Sequence, residues 1–341
     1  VVYFALLSIC STFVMNLIRF SLMRIIKFIK QWTLLFAICA GTIIYLLFSR
    51  ISFLLPIGDV VGPRLVSLMP FIIFTMLYVT FCKIKLDEFR PRTWHFCLQG
   101  IRTLLSAIVV LFISFTTSPE TKIILEGVFV CVICPTAAAA PVITEKLGGS
   151  IASMTIYMII ANCFTSIIIP LFFPMVEKSA DITFLFAFLM VLKRVLLVLV
   201  LPLLLALFTR RFLPKIIIWL KSKSNIAFYL WSFNLSIVMG LTVRMITRSQ
   251  LMGTTMALLI ILPLIISLLL FSIGKLVGGF WGESIAGGQA LGQKNTVIGI
   301  WLMLSFLNPT AVIAPCAYVI WQNLINAVQL WYKGKYGYLK W

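Results

Sequence analysis

Apolar runs long enough to cross a membrane recur along the chain from end to end, separated by short basic gaps. A membrane-spanning helix needs about 20 predominantly apolar residues, and most of these runs reach about that length. Hydrophobic residues make up 62% of the sequence and charged residues only 11%, whereas soluble domains carry about 25% charged residues. The sequence therefore predicts an all-α polytopic membrane protein surrounded by the lipid bilayer.

Ten candidate spans follow an N-terminal apolar and basic segment, residues 1–31, which we expect to form an extra span or an interfacial helix. Placing that segment inside puts eighteen Lys and Arg residues on the cytoplasmic side and eight outside, as the positive-inside rule requires. We therefore expect a protein of the cell (inner) membrane with both ends of the ten-helix body in the cytoplasm. The predicted spans are 32–49, 64–82, 96–116, 121–145, 149–176, 190–209, 224–243, 252–279, 283–306 and 309–331.

The ten spans divide into two repeats of five, residues 32–178 and 179–341. An odd number of spans per repeat inverts the second repeat relative to the first, an arrangement common in transporters. The fourth span is interrupted at Pro135 and Pro141, where proline removes helix hydrogen bonds, and the ninth at a glycine-rich polar stretch, 287–295. Matching interruptions in two repeats indicate a binding site at the membrane midplane.

The polar stretch 287–295 lies at membrane depth, because strongly apolar sequence flanks it on both sides. A charged side chain at the bilayer centre costs at least about 2.5–3.5 kcal/mol, and such residues are functional by default. Lys294 is therefore the central candidate, and the alternative is a helix end from which Lys294 reaches the interface. Arg102, near the inner end of the third span, is expected to reach the interface in that way. Gln289 and Gln293, four residues apart, would share one face if this stretch is helical.

Three segments carry a resemblance to a known family: 134–152, which opens with Cys134-Pro135 and a small-residue run, 289–295 and 314–324. Over about residues 20–331 the chain resembles a bacterial member of the bile acid:sodium symporter family. The resemblance implies a panel domain of spans 1, 2, 6 and 7, a core domain of spans 3–5 and 8–10, and broken helices 4 and 9 that cross. It also implies symport of an organic anion, bile-acid-like or another carboxylate, with sodium by alternating access.

The sequence departs from that family where sodium should bind. Ala140 and Pro141 stand where the family has serine and asparagine, Gln289 replaces a glutamate, and Lys294 replaces an asparagine. Alanine, proline and lysine offer no side-chain oxygen to a sodium ion. We therefore expect the sodium site to be lost and Lys294 to replace the cation, or to couple transport to protons by gaining and losing one.

The predicted partner is a small organic anion, and no metal or cofactor is expected beyond sodium or a proton as the coupling ion. The substrate- and ion-binding candidates lie at the two interruptions and in the last span: Gln289, Gln293, Lys294, Asn295, Pro135, Thr136, Ala140, Pro141 and Asn323.

Other classes of function fit the sequence less well. An intramembrane enzyme needs clustered carboxylates or a nucleophile with a base, but the nine acids include one adjacent pair, Asp87-Glu88, and His95 is the only histidine. A cation/proton exchanger of similar crossed-helix plan typically needs carboxylates, which both interruptions lack. A non-transporting membrane sensor is a further alternative. Nucleic acid is not an expected partner, because the basic residues lie in short gaps rather than on one face of a soluble scaffold.

Overall fold

A computed structural model of the protein describes residues 28–29, 32–84, 89–177, 185, 189, 192–193, 196–223, 225–249 and 253–339. Most of the predicted N-terminal segment and the beginning of the predicted sixth span lie outside these residues. A π-helical turn (Leu196–Val200) and a 3-10 turn (Pro309–Val312) each lead directly into an α-helix. The described residues form thirteen α-helices: α1 (Thr33–Arg50), α2 (Leu55–Lys83), α3 (Thr93–Phe115), α4 (Pro119–Ile133), α5 (Ala140–Leu147), α6 (Ile151–Val176), α7 (Leu201–Phe212), α8 (Pro214–Ser222), α9 (Ile226–Thr247), α10 (Gly253–Gly279), α11 (Ser284–Gly292), α12 (Thr296–Phe306) and α13 (Ile313–Tyr336).

Seven helices in the described part of the chain are long and apolar enough to cross a membrane: α1, α2, α3, α6, α9, α10, and α13 with its 3-10 turn. An eighth candidate, the π-helical turn with α7, bends by 113° into α8. Large apolar side chains such as Phe71, Phe112 and Phe115 face outward, which suits contact with lipid. The chain has an all-α polytopic membrane fold, while the ten-span inverted repeat and its two domains stay predictions.

The predicted spans and the helices mostly end within a few residues of each other. The largest difference lies in α2, which begins at Leu55 rather than at residue 64 and contains Pro63 and Pro70. Membrane helices accommodate proline because neighbouring groups satisfy the carbonyls that it frees. The second span was therefore predicted to begin too late in the chain.

The break between α4 and α5 begins before Pro135. The ring nitrogen of Pro135 cannot donate to the carbonyl of Cys131, and Cys134 leaves the helical conformation, as a residue before proline usually does. The chain resumes helical geometry at Ala140, with Pro141 in the first turn of α5. The prediction that Pro141 interrupts a helix is wrong, because a first-turn proline has no N–H to lose and is preorganised for helix initiation.

The most extensive helix packing among the described residues joins α10 and α11. A Cβ added at Gly274 would lie 2.2 Å from the carbonyl oxygen of Gly287, and one added at Gly287 would lie 2.3 Å from that of Gly274. A Cβ added at Gly278, one turn after Gly274, would lie 2.6 Å from the carbonyl oxygen of Glu283. Small residues at four-residue spacing allow two membrane helices to touch along their backbones. This contact fixes the position of α11, the first half of the second broken helix.

Candidate functional site

The two interruptions meet and pair through their backbones. Thr136 and Lys294 form an isolated antiparallel bridge. The Ala137 N–H donates to the Gln293 carbonyl at 3.0 Å, and the Asn295 N–H donates to the Pro135 carbonyl at 2.8 Å. Two broken helices, α4/α5 and α11/α12, therefore cross at residues 134–139 and 293–295, and we refer to these two segments as the crossing.

Lys294 is buried at the crossing and does not reach an interface. Its side chain is 1% exposed, and its Nζ donates to the Val132 carbonyl oxygen at 2.8 Å. Val132 lies in the last turn of α4, where carbonyls lack helical partners and the helix dipole is negative. Half-helix C-termini hold coupling cations in broken-helix transporters. The alternative in which Lys294 snorkels is wrong, because this carbonyl binds its ammonium group inside the protein.

Side chains of α13 and the first break hold the backbone around Lys294. The Lys294 N–H donates to Gln322 Oε1 at 2.7 Å, and Gln322 Nε2 donates back to the Lys294 carbonyl at 3.2 Å. Tyr318 OH donates to the Gly292 carbonyl at 2.7 Å, and Thr136 Oγ1 donates to the Ala290 carbonyl at 2.7 Å. These bonds satisfy carbonyls that the end of α11 leaves free. Tyr318 was missed in the sequence because an aromatic residue in an apolar helix carries no local polar signal.

Gln289 and Gln293 have different surroundings, although the sequence predicted a shared helix face if the stretch were helical. Gln289 Nε2 donates to Asn326 Oδ1 at 3.0 Å and to Gln329 Oε1 at 2.9 Å. Gln293 follows the last residue of α11 and has an extended backbone, so the shared face is not formed. Its carboxamide is fully buried, and neither polar atom has a hydrogen-bond partner among the described residues. Unsatisfied buried polar groups are uncommon in proteins and mark candidate ligand-binding positions.

The remaining predicted residues lie at or beside the crossing. Asn295 uses its side-chain oxygen to cap α12, accepting from the Ile298 N–H at 3.4 Å. Ala140 is buried at the beginning of α5 and presents no polar side-chain atom. Asn323 Nδ2 donates to the Val319 carbonyl of its own helix, while its Oδ1 has no partner within the described residues. Asn295 therefore caps a helix, and Ala140 offers no polar group to a ligand. The side-chain oxygen of Asn323 is left to accept a hydrogen bond.

The buried position of Arg102 contradicts a second expectation from the sequence. It is 2% exposed, and its Nη2 donates to Gln99 Oε1 at 2.6 Å, to the Ala161 carbonyl at 2.8 Å and to Thr165 Oγ1 at 2.7 Å. The prediction that Arg102 reaches the interface is wrong, because acceptors on α3 and α6 hold its guanidinium inside the bundle. Its position ten residues into an apolar span was the available signal, since charges within spans are functional by default.

The centre of the protein carries positive charge that no described acid neutralises. Arg102 and Lys294 are both buried, and neither forms an ion pair with an acid among the described residues. The ion pairs in the described part of the chain lie elsewhere, at Lys83–Glu145, Arg92–Glu283 and Lys122 with Glu126 and Glu177. Uncompensated buried charge is costly, so the site is suited to attracting an anion.

Gln322→Leu should destabilise the protein by about 1–3 kcal/mol, because the buried Lys294 N–H then lacks an acceptor. The measurement is the midpoint of thermal unfolding in detergent micelles. The matched control is Asn162→Leu, since Asn162 is also a buried amide but bonds only the Met158 carbonyl of its own helix. An equal fall in the two midpoints would show that the bond from Lys294 to Gln322 does not hold the crossing.

No protein-family model matches this chain, and no curated protein matches it significantly. Among the residues that the structure describes, no group of three or more His, Cys, Asp or Glu side chains is arranged to hold a metal ion. The fold and the site thus define a class, a polytopic α-helical membrane protein in which two broken helices cross around a buried lysine.

Proposed function

We propose that the protein is a secondary active transporter that moves a small organic anion, a bile-acid-like or other carboxylate, across the membrane by alternating access. In this proposal ten spans form two inverted repeats, and the crossing lies at the bilayer midplane. The observation that carries the proposal is the Lys294 ammonium group, which binds the C-terminal end of α4 inside the crossing.

The position of Lys294 supports a role as a built-in cation. Unwound carbonyls and half-helix C-termini are the groups that coordinate sodium or protons in broken-helix transporters, and Lys294 Nζ lies 2.8 Å from such a carbonyl. Ala140 and Pro141, which replace side-chain oxygens in the family resemblance, add none here. We therefore propose transport that does not require sodium, within or near the bile acid:sodium symporter family.

The helix ends at the crossing also favour an anion. α5 begins at Ala140 and α12 begins at Thr296, so the N-terminal ends of both half-helices lie next to the crossing. The positive end of the helix dipole attracts anions at such positions. A cation/proton exchanger is less well supported, because neither segment of the crossing, 134–139 or 293–295, contains a carboxylate.

The test is uptake of labelled organic anions into proteoliposomes, with sodium or choline outside and with or without a pH gradient. We expect accumulation of at least one carboxylate at the same initial rate in sodium and in choline. Acceleration by an inward proton gradient would assign the proton as the coupling ion. Strict dependence on sodium would contradict the role of Lys294 as the cation. Binding without accumulation would instead indicate a sensor.

A further inference from the structure

We propose that Arg102, together with the hydroxyl group of Tyr157, binds the carboxylate of the transported anion, while Lys294 stabilises the broken helix at the crossing. This inference rests on the proposed function and adds the residues that recognise the substrate. It assigns different roles to the two buried cations: Lys294 replaces a coupling ion, and Arg102 binds the transported anion.

The two cations, Lys294 and Arg102, differ in the hydrogen bonds that they form. Lys294 Nζ donates to Val132 in the last turn of α4, so its ammonium group stabilises the broken helix. Arg102 makes its three hydrogen bonds through Nη2 alone, and its buried Nη1 has no partner among the described residues. A guanidinium group that is held through Nη2 retains the two N–H donors of Nη1, which can form charge-assisted hydrogen bonds to a carboxylate.

The groups that fix Arg102 also orient its free side. Gln99 lies on the same helix, one turn earlier, and Thr165 and Ala161 lie on α6. Thr165 Oγ1 itself donates to the Ala161 carbonyl at 2.6 Å, so it accepts from Arg102 without losing its other bond. The guanidinium group is therefore held between α3 and α6 before any ligand arrives, which reduces the entropic cost of binding.

Tyr157 supplies a second donor next to Arg102. It lies four residues before Ala161 on α6, hence on the same helix face as the residue whose carbonyl accepts from Arg102. Its ring is fully buried and stacks on Trp94 with centroids 5.7 Å apart. The hydroxyl lies beside Thr136 at the crossing, but no described group forms a hydrogen bond of good geometry with it.

Because the Tyr157 hydroxyl has no hydrogen-bond partner among the described residues, substitution of Tyr157 can distinguish a structural role from a ligand-binding role. The two roles predict different effects on stability and on anion binding. Tyr157→Phe removes no well-formed protein hydrogen bond, so the midpoint of thermal unfolding should stay the same or rise. The matched control is Tyr318→Phe, which removes an equally buried hydroxyl that donates to Gly292 at 2.7 Å, and whose midpoint should fall. A ligand-binding role for Tyr157 predicts weaker binding of the anion despite this unimpaired stability.

The experiment is equilibrium binding of labelled pyruvate, succinate, benzoate and cholate to the purified full-length protein in detergent. For the carboxylates that the wild type binds, Arg102→Lys should weaken binding by at least about tenfold, since lysine keeps the charge but has no second amino group to replace Nη1. Tyr157→Phe should weaken it by about threefold to tenfold, the effect of one lost hydrogen bond. Benzamide, the neutral isostere of benzoate, should not compete in the wild type.

The outcomes separate this inference from the proposed function. Carboxylate binding that is unchanged in both Arg102→Lys and Tyr157→Phe would overturn the assignment of these residues and leave the proposed transporter standing. A wild type that binds none of the four carboxylates would overturn both. Should Arg102→Lys fail to elute as a monodisperse species in size-exclusion chromatography, the comparison of Tyr157→Phe with Tyr318→Phe decides alone.

Discussion

Replacing Lys294 with glutamine is expected to lower the initial rate of anion uptake by about tenfold, the difference between a buried hydrogen bond from a charged group and one from a neutral group. Glutamine retains a donor for the Val132 carbonyl but removes the positive charge from the end of α4. The measurement is uptake into proteoliposomes at a matched amount of reconstituted protein. The control is Lys335→Gln, because Lys335 is exposed near the end of α13 and its removal should leave the rate unchanged.

A smaller side chain at the same position allows chemical rescue. Lys294→Ala removes the ammonium group together with its stem, and millimolar methylammonium should restore part of the lost uptake by placing a cation against the Val132 carbonyl. Rescue by methylammonium but not by an uncharged amide of similar size would identify the charge as the required feature. Uptake that survives Lys294→Gln unchanged and demands sodium would refute the built-in cation.

Substitution of Gly274 with alanine is expected to prevent the native packing of α10 on α11. The new methyl group would lie 2.2 Å from the Gly287 carbonyl oxygen, and a backbone atom cannot move aside by changing a rotamer. Overpacking of a core typically costs about 1–3 kcal/mol, and a clash with backbone should reach the upper end of that range. The measurement is the midpoint of thermal unfolding together with the yield of monodisperse protein.

Gly100→Ala is the matched control for Gly274→Ala. Gly100 lies within α3, and an added Cβ there meets no atom within 4 Å. Alanine is the better helix former by about 0.8–1.0 kcal/mol, so the control should be neutral or slightly stabilised. If Gly274→Ala is tolerated as well as Gly100→Ala, the helices do not approach each other as closely as described.

Much of the fold follows from local sequence, because the membrane imposes a length on every spanning helix. Apolar runs of about 20 residues identified most helices, since backbone groups in lipid must be satisfied within the segment. The break before Pro135 was also predictable, because proline removes a helix donor. The second interruption was predicted too broadly at 287–295, since residues 287–292 stay helical in α11 and the chain leaves the helix only at Gln293. The late beginning of α2 and the misassigned Pro141 show the limit of such rules, since proline is tolerated or unfavourable according to its place in the helix.

The candidate site depended on contacts between distant parts of the chain. Composition and depth alone marked Lys294, but its partner Val132 lies on another broken helix, and no pattern in the sequence joins the two. Arg102 also lies within an apolar span, yet it was expected to reach the interface. Only the acceptors on α6 show that its side chain points into the bundle. The sequence by itself determined that this chain crosses a membrane, that helices break near Pro135 and near Lys294, and that Lys294 lies within an apolar region. The tertiary structure alone decided which broken ends meet and which cation keeps a free donor, because hydrogen bonds at the crossing join residues far apart in the chain, whose pairing depends on how the helices pack.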